Sequence, residues 1–192
     1  IEISKKYGSA SIITATNVFA HVDDIKSFTK GIANLIEKDG IFVIEFPYLI
    51  DMIDQLYFDT IYHEHLSYLS LSPLIKLFKY NNLRAFKVQR VNMGASGPGL
   101  RVYVCLNESS HINDHSVKSL LLEEKNWGIK DKQSYSMFAD RVSSLKKDLL
   151  NIIKDIKKSG KKIGAYGAPA KGNTMLNFLN LRTGTIEAVA EN

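Results

Sequence analysis

The chain has 192 residues, a formal net charge of +5 at pH 7 and an apolar fraction of 45%, a composition typical of a globular protein with one domain or two small ones. The sequence shows no arginine-rich tract, nucleic-acid motif, bilayer-spanning apolar run or signal segment. We therefore expect a cytoplasmic protein that binds neither nucleic acid nor membranes. Cys105 is the single cysteine, which excludes an internal disulfide and a cysteine-ligated zinc site and predicts a buried, inert thiol.

The first part of the sequence predicts a strand followed by a helix. Residues 10–18 are rich in β-branched side chains and predict a buried strand, after which Asp23 and Asp24 are suited to cap a helix. Apolar residues then recur at helical spacing: Ile25, Phe28, Ile32, Leu35 and Ile36.

A second strand completes a parallel βαβ unit. The helix is predicted to stop at Gly40, since glycine favours the C-terminal end of a helix. Residues 41–46 then predict an apolar strand that Pro47 closes, and such a crossover is right-handed. A short amphipathic stretch runs to Leu56, and residues 72–73, Ser-Pro, open another helix.

The sheet is predicted to become mixed further along the chain. Residues 85–91 and 100–106 predict two strands, joined by residues 92–99 with three glycines and one proline. Strands joined by such a turn are antiparallel, so an antiparallel pair is added to the parallel unit.

The last third of the sequence predicts a second α/β unit. Two polar helices are expected over residues 114–128 and 133–159, followed by a strand at 161–167, a helix at 171–181 and a strand at 185–190. The sequence starts in the middle of one sheet and stops within the next unit, so we interpret it as a fragment of a longer protein.

One segment concentrates acid–base side chains. Asp59 to Tyr68 contains two imidazoles, two carboxylates and two phenols within ten positions. Histidine titrates nearest neutrality and a neighbouring carboxylate can orient it, so the cluster indicates general acid–base catalysis. A charged surface segment is the alternative interpretation.

Two further segments are placed where ligands bind. Asn17 to His21 follow the predicted end of the first strand, the edge at which open α/β sheets bind ligands, although a plain connecting loop would fit as well. Gly164 to Thr174 form a glycine-rich turn between a strand and a helix, whose backbone N–H groups and Lys171 suit a phosphate. The turn matches neither the Walker nor the dinucleotide fingerprint in full, so a structural corner is its alternative.

A metal site has less support. His63 and His65 would lie on one face of a strand, but a catalytic zinc needs about three protein ligands and the sequence marks no third. Asp59, Glu64 and His21 are arbitrary choices for it. We expect no metal.

Several segments together resemble a known family. Residues 17–24 followed by 39–48 resemble the downstream half of a class I S-adenosylmethionine-dependent methyltransferase. The continuation, with Tyr-His-Glu-His at 62–65, Leu-Arg-Val-Tyr-Val at 100–104 and Gly-Ala-Pro-Ala-Lys-Gly at 167–172, resembles the sugar C-methyltransferases that act on nucleotide-linked 4-keto deoxysugars. The resemblance covers nearly the whole chain, and its motifs occur in the same order.

The resemblance implies an α/β fold. Residues 1–108 would be the second half of a Rossmann-like mixed sheet, and residues 109–192 a helical connection and the first part of a C-terminal nucleotide-sugar-binding domain. S-adenosylmethionine would be the cofactor, while zinc would occur only in an N-terminal cysteine-rich domain outside this sequence. The glycine-rich cofactor loop would also lie outside it, so we expect the chain alone to be inactive. At 94–99 this chain has Gly-Ala-Ser-Gly-Pro-Gly where many relatives carry His-Gly-Gly-Ser, which implies a different sugar preference.

The resemblance also implies residue roles. His65 would be the base, with Tyr62 as the alternate, Glu64 would orient the imidazole or hold a sugar hydroxyl, and His21 would face the site. Cofactor-binding roles fall on Asn17, Val18 and His21. The implied substrate-binding residues are Tyr166, Ala168, Lys171, Asn173 and Arg101.

The predicted reaction transfers a methyl group to a carbon beside the ketone of a nucleotide-linked keto-deoxysugar through an enolate. An O- or N-methyltransferase of the same fold and a non-catalytic nucleotide-sugar-binding fragment are the alternatives. The exact sugar, the nucleotide, the stereochemistry and the oligomeric state stay open.

Overall fold

A computed structural model describes residues 2–94 and 97–191. The described chain forms two compact units. Unit 1 comprises the residues up to 55 together with 64–131, and unit 2 comprises 56–63 together with the residues from 132 onward. Unit 2 therefore takes a short segment from the middle of the sequence. The predicted domain boundary at residue 108 stays a prediction.

Unit 1 contains a four-stranded mixed sheet. Its strands are β1 (Ala10–Thr16), β2 (Ile36–Pro47), β3 (Leu83–Asn92) and β4 (Pro98–Leu106). The spatial order is β1-β2-β4-β3; β1 and β2 run parallel, and β4 is antiparallel to both of its neighbours. The predicted mixed α/β sheet is thus confirmed. Two residues of the predicted loop between β3 and β4, 95 and 96, lie outside the described residues.

Helices connect these strands. They are α1 (Glu2–Tyr7), α2 (Ile25–Leu35), α3 (Leu49–Asp54), α4 (Leu71–Tyr80) and α5 (His115–Trp127). Asp24 caps α2, accepting a hydrogen bond from the Ser27 N–H at 2.9 Å, and Asp114 caps α5 in the same way. Gly128, with φ of 82°, ends α5 in the left-handed conformation that glycine adopts without strain.

The predicted end of the first helix is wrong. Helix α2 ends at Leu35, and Ile36 is already extended (ψ 137°) and starts β2. A Cβ atom at Gly40 would lie 2.8 Å from the Ala10 carbonyl oxygen, and the pairing of β1 with β2 shifts register just after Ala10. Gly40 therefore permits close approach of two strands at a β-bulge and does not cap a helix.

The core of unit 1 lies on one face of the sheet. Phe42, Ile44 and Phe46 of β2 are fully buried, and each buried side chain of this size contributes about 1.5–3 kcal/mol relative to exposure. The opposite face is less covered, since Ile12 of β1 is 68% exposed. Cys105 in β4 is buried, as predicted.

Unit 2 is built around a two-stranded parallel sheet. It contains a 3-10 turn (Phe58–Thr60), α6 (Lys132–Lys158), β5 (Gly164–Tyr166), α7 (Ala170–Phe178) and β6 (Ala188–Ala190). Strands β5 and β6 pair in parallel, which confirms the predicted strand–turn–helix–strand order, with shorter strands than predicted. Phe58 from the inserted segment packs against Phe178 of α7, their ring centroids 4.7 Å apart. No helix among the described residues could span a membrane.

Candidate active site

The carboxyl ends of β1 and β2 meet at one edge of the sheet. β1 leads into Asn17, whose N–H donates to the Glu45 carbonyl of β2 at 3.0 Å. Asn17 adopts a left-handed conformation (φ 56°), which asparagine tolerates better than most residues. The chain therefore turns sharply out of the sheet, through the half-exposed Val18, into a 3-10 turn over Phe19–His21.

The acid–base segment is tied to this turn by its backbone. The N–H groups of Leu66 and Ser67 both donate to the Ala20 carbonyl, at 3.0 and 3.2 Å. The His21 Nδ1 atom lies 2.7 Å from the Glu64 carbonyl oxygen. These contacts bring together two segments more than forty positions apart.

The contact with Glu64 fixes the tautomer of His21. A carbonyl oxygen can only accept a hydrogen bond, so Nδ1 carries the proton and donates. The neutral ring then keeps its free lone pair on Nε2, which is the atom that can take up a proton. The contact is made by the main chain of Glu64.

His65 lies at the centre of the aromatic side chains here. Its ring centroid is 5.0 Å from that of His21 and 6.2 Å from that of Tyr68, whose ring is perpendicular to it. A small pocket opens beside it, lined by Ala20, Pro47, Met52, His65, Ser67 and Tyr68. The half-buried imidazole of His65 is therefore held at a cavity next to the ends of two parallel strands.

The boundary between the units passes through the Tyr-His-Glu-His motif. Tyr62 and His63 belong to unit 2, whereas Glu64 and His65 belong to unit 1. Neither histidine lies in a strand, because His63 occupies a turn and His65 an irregular stretch. The same-face geometry considered for a pair of metal ligands therefore does not apply.

Arg101 has a partner within the sheet. It pairs across the strands with Glu45, the Nε atom donating to a carboxylate oxygen of that residue. The roles predicted for Arg101 and for Tyr62 stay predictions.

The other predicted substrate-binding residues lie in unit 2. Tyr166 is 74% exposed in β5, Ala168 is exposed in the following turn, and Lys171 and Asn173 lie in the first turn of α7. The Lys171 Nζ atom is 5.7 Å from the centre of the Tyr57 ring. Unit 2 thus brings these four residues to one strand–turn–helix corner.

Sequence reasoning missed part of the pocket wall. Pro47, Met52, Ser67 and Tyr68 line the pocket but had no assigned role. Pro47 ends a parallel strand, and Tyr68 is the last residue of the acid–base segment. These positions could have identified both residues as candidates for the pocket wall. Met52 carries no such signal.

The sequence matches known methyltransferases along most of its length. Residues 94–192 match the model of the C-methyltransferase C-terminal domain, and residues 1–88 match a methyltransferase domain. The chain is 33% identical over 175 residues to C-methyltransferase NovU of Streptomyces niveus, covering 91% of this chain and 41% of that protein. The chain thus spans about two fifths of the length of this relative.

The chain also resembles parts of two solved structures. One is an S-adenosylmethionine-dependent methyltransferase of Thermotoga maritima, with a TM-score of 0.42 and 13% identity over 50% of this chain and 55% of that one. Another is mitomycin 7-O-methyltransferase, with a TM-score of 0.39 and 16% identity over 51% of this chain and 30% of that one.

Strands β1 and β2, with the imidazoles near their carboxyl ends, belong to a mixed α/β sheet and lie within the stretch that matches a methyltransferase domain. By its match over residues 94–192 and its identity to a curated relative, the chain belongs to the C-methyltransferase family.

The size and the polar groups of this site indicate how much of S-adenosylmethionine, the methyl donor of such enzymes, the described residues could contact. The pocket beside His65 is small, and the six residues that line it do not enclose a whole cofactor. The strand end beside it offers the exposed turn at Asn17 and Val18 and the free Nε2 atom of His21. The described residues of unit 1 therefore offer polar groups at the strand ends, but they do not form a pocket the size of the whole cofactor.

Proposed function

We propose that the protein transfers a methyl group to carbon, at the position beside the ketone of a nucleotide-linked keto-deoxysugar. The observation that carries the proposal is the set of hydrogen bonds that joins Ala20–His21 to Glu64–Ser67, next to the pocket that His65 lines. A carbon next to a ketone must lose a proton before it can be methylated, and an imidazole is suited to remove it near neutral pH.

In the proposed reaction, side chains of this chain remove the proton from the sugar carbon and stabilise the enolate that results. His65 is the proposed base and takes the proton from the sugar carbon, leaving an enolate, with Tyr62 as the alternate base. His21 lies beside it with Nδ1–H held by the Glu64 carbonyl, so its Nε2 atom can accept a proton or, once protonated, donate to the enolate oxygen. Glu64 is the proposed partner of an imidazole or a sugar hydroxyl. When bound, S-adenosylmethionine supplies an electrophilic methyl group, and Asn17, Val18 and His21 would hold it.

Charge supports an anionic substrate. Unit 2 contains eleven Lys and Arg residues against six Asp and Glu residues, so the whole net charge of +5 belongs to it, and unit 1 is neutral. A concentration of positive charge raises the local concentration of an anion. The Gly164–Thr174 turn and Lys171, at the start of α7, are the proposed contact with the pyrophosphate.

Hydrogen exchange tests the reaction class. The intact protein is incubated in deuterium oxide with a thymidine-diphosphate-linked 4-keto-6-deoxysugar, with and without S-adenosylmethionine, and deuterium beside the ketone is followed by mass spectrometry. We expect enzyme-dependent incorporation above the rate without enzyme. Methyl transfer to oxygen or nitrogen without exchange would identify the O- or N-methyltransferase alternative. Neither exchange nor transfer, with sugar binding retained, would support the binding alternative.

The proposed phosphate contact has its own test. Charge-assisted hydrogen bonds are roughly twice as strong as neutral ones, so Lys171→Ala should weaken nucleotide-sugar binding more than methyl-donor binding in calorimetry. Lys154→Ala removes the same charge from an exposed position of α6 and serves as control. Equal effects of the two substitutions on sugar binding would show that only overall charge matters and that the turn is a structural corner.

A further inference from the structure

Unit 1 contains a buried carboxylate that the proposed reaction does not use. Glu124 of α5 is 0% exposed, and it is the buried charged residue among those that the structure describes. Its two carboxylate oxygens accept four hydrogen bonds. The donors are the Tyr48 hydroxyl at 3.1 Å, the Leu71 N–H at 2.5 Å, the Ser72 N–H at 2.8 Å and the Ser72 hydroxyl.

These donors explain why a charge can be buried here. An ionised carboxylate inside a protein is costly unless its lone pairs are satisfied. Leu71 and Ser72 are the first two residues of α4, so the carboxylate lies at the positive end of that helix. Burial and the nearby Glu124 charge both raise the pKa of Tyr48, which therefore stays a protonated donor.

The segments that supply these donors also form two walls of the pocket. Tyr48 directly follows Pro47, which lines the pocket from the end of β2. Leu69 directly follows Tyr68, which lines it from the acid–base segment. Tyr48 and Leu69 form an isolated parallel β-bridge, and the N–H of Leu49 donates to the Leu69 carbonyl at 3.0 Å.

One carboxylate from a distant helix therefore fastens both walls. It holds one wall through the Tyr48 hydroxyl and the other through the backbone of Leu71 and Ser72, three to four residues after Tyr68. We infer that Glu124 is a positioning residue, which sets the separation between the Pro47 wall and the His65–Tyr68 wall of the pocket. Its effect on turnover rests on the proposed function, whereas its effect on the geometry of His65 does not.

Imidazole NMR tests the geometry in this chain. We compare Glu124→Gln, which keeps the size of the side chain but turns one acceptor oxygen into a donor, with Leu120→Ala. Leu120 is a buried core residue of the same helix that makes none of these hydrogen bonds, so it controls for loss of stability. Glu124→Gln should move the ring resonances of His65, and Leu120→Ala should leave them near their wild-type positions. Unchanged His65 resonances in Glu124→Gln, or equal shifts in both variants, would overturn the inference.

Two milder substitutions guard against a variant that does not fold. Tyr48→Phe and Ser72→Ala each remove one donor while keeping the carboxylate, and each should shift the His65 resonances less than Glu124→Gln does. If Glu124→Gln is unfolded, the two milder variants decide, and His65 resonances unchanged in both would overturn the inference.

Kinetics of the intact protein add a catalytic measure. Misplaced catalytic groups slow turnover more than they weaken binding, so Glu124→Gln should lower kcat per folded molecule by about tenfold or more and change KM less. Leu120→Ala should lower the melting temperature without this loss in kcat. If the wild-type protein transfers no methyl group and catalyses no exchange, the proposed function fails, and the NMR comparison still decides the role of Glu124. An equal loss of kcat in Leu120→Ala would reduce Glu124 to a structural residue.

Discussion

The hydrogen bond from His21 to the Glu64 carbonyl gives the two neighbouring imidazoles different constraints. The carbonyl holds the proton of His21 on Nδ1 and orients that ring. His65, 5.0 Å away, lines the pocket itself. The pair therefore combines an oriented ring with a ring at the pocket, an arrangement that suits the proposed general acid–base catalysis.

Replacement of His65 tests the proposed base. His65→Gln should lower turnover of the intact protein by at least about a hundredfold, the usual scale for a lost general base, with small changes in substrate and cofactor affinity. Steady-state kinetics measure the effect. His63→Gln is the matched control, because His63 is an exposed histidine two positions away that does not line the pocket. Near-wild-type turnover in His65→Gln would remove it from the role and make Tyr62 the next residue to replace.

The sequence marks the two imidazoles as candidates but does not indicate the pocket around them. His21 and His65 belong to short motifs, one after a strand and one in a dense cluster, and such signals are local. The pocket wall also contains Pro47 and Met52, which come from a third segment. Their proximity depends on hydrogen bonds such as that from Leu66 N–H to the Ala20 carbonyl, and no local pattern encodes these.

At the scale of single elements, two glycines with different surroundings test the boundary between α2 and β2. A Cβ at Gly40 would lie 2.8 Å from the Ala10 carbonyl and 2.7 Å from the Ile36 side chain, whereas a Cβ at Gly31, inside α2, would meet nothing within 4 Å. Gly40→Ala should therefore lower the free energy of unfolding by at least about 1 kcal/mol through overpacking. Gly31→Ala should raise it by about 0.5–1 kcal/mol, since alanine favours helices.

Urea denaturation of the two variants measures these opposite changes. A neutral effect of Gly40→Ala would mean that β1 and β2 can separate at the bulge without cost, and that glycine is not required there.

This boundary also shows what a sequence pattern can and cannot predict about an element. The cap at Asp24 was predicted correctly because a cap depends on residues within one turn of the helix. Gly40 follows apolar residues at helical spacing and was interpreted as a helix end. Gly40 instead allows the close approach of Ala10, thirty positions earlier in the sequence. A bulge between paired strands can be recognised only once the register of the sheet is known.

An arginine network fastens α3 and α5 to β3 and should make stability depend on pH. Arg90 forms ion pairs with Asp51 and Glu123. The hydrogen bond from Arg90 is the main cause that lowers the pKa of Glu123 below its ordinary value near 4.5. A carboxylate with a lowered pKa adds stability that is present above its ordinary pKa and is lost as the pH falls through its pKa in the folded protein.

Replacement of Arg90 should therefore make the free energy of unfolding less dependent on pH. In wild-type protein the free energy of unfolding should fall between about pH 5 and pH 3, and in Arg90→Met it should fall less. Arg84→Met is the matched control on the same strand, because Arg84 bonds to Asn113 Oδ1 and to backbone carbonyls. Urea midpoints at several pH values measure the slopes, and the effect should be small because Glu123 is half exposed. Equal slopes in all three proteins would contradict the prediction.

At the scale of the whole molecule, the chain passes between the two units three times, after Gln55, His63 and Asp131. Charge follows the same division, since unit 2 carries the net charge of +5 and unit 1 carries none. The predicted helices and strands did not reveal this arrangement, because residues 56–63 have no strand or long helix of their own and join unit 2 through side-chain packing. Phe58, with 6% exposure, makes that packing with Phe178.

A pair of substitutions tests whether the inserted segment stabilises unit 2 alone. Phe58→Ala should cost about 3–5 kcal/mol, the usual loss for a buried phenylalanine, and should speed amide hydrogen exchange in α7, β5 and β6. Phe78→Ala, at a fully buried position of α4, is the reciprocal variant and should speed exchange in β2, β3 and β4. Local exchange reports the stability of each unit separately. If Phe58→Ala speeds exchange equally in both units, the segment belongs to a single cooperative structure, and its assignment to unit 2 is wrong.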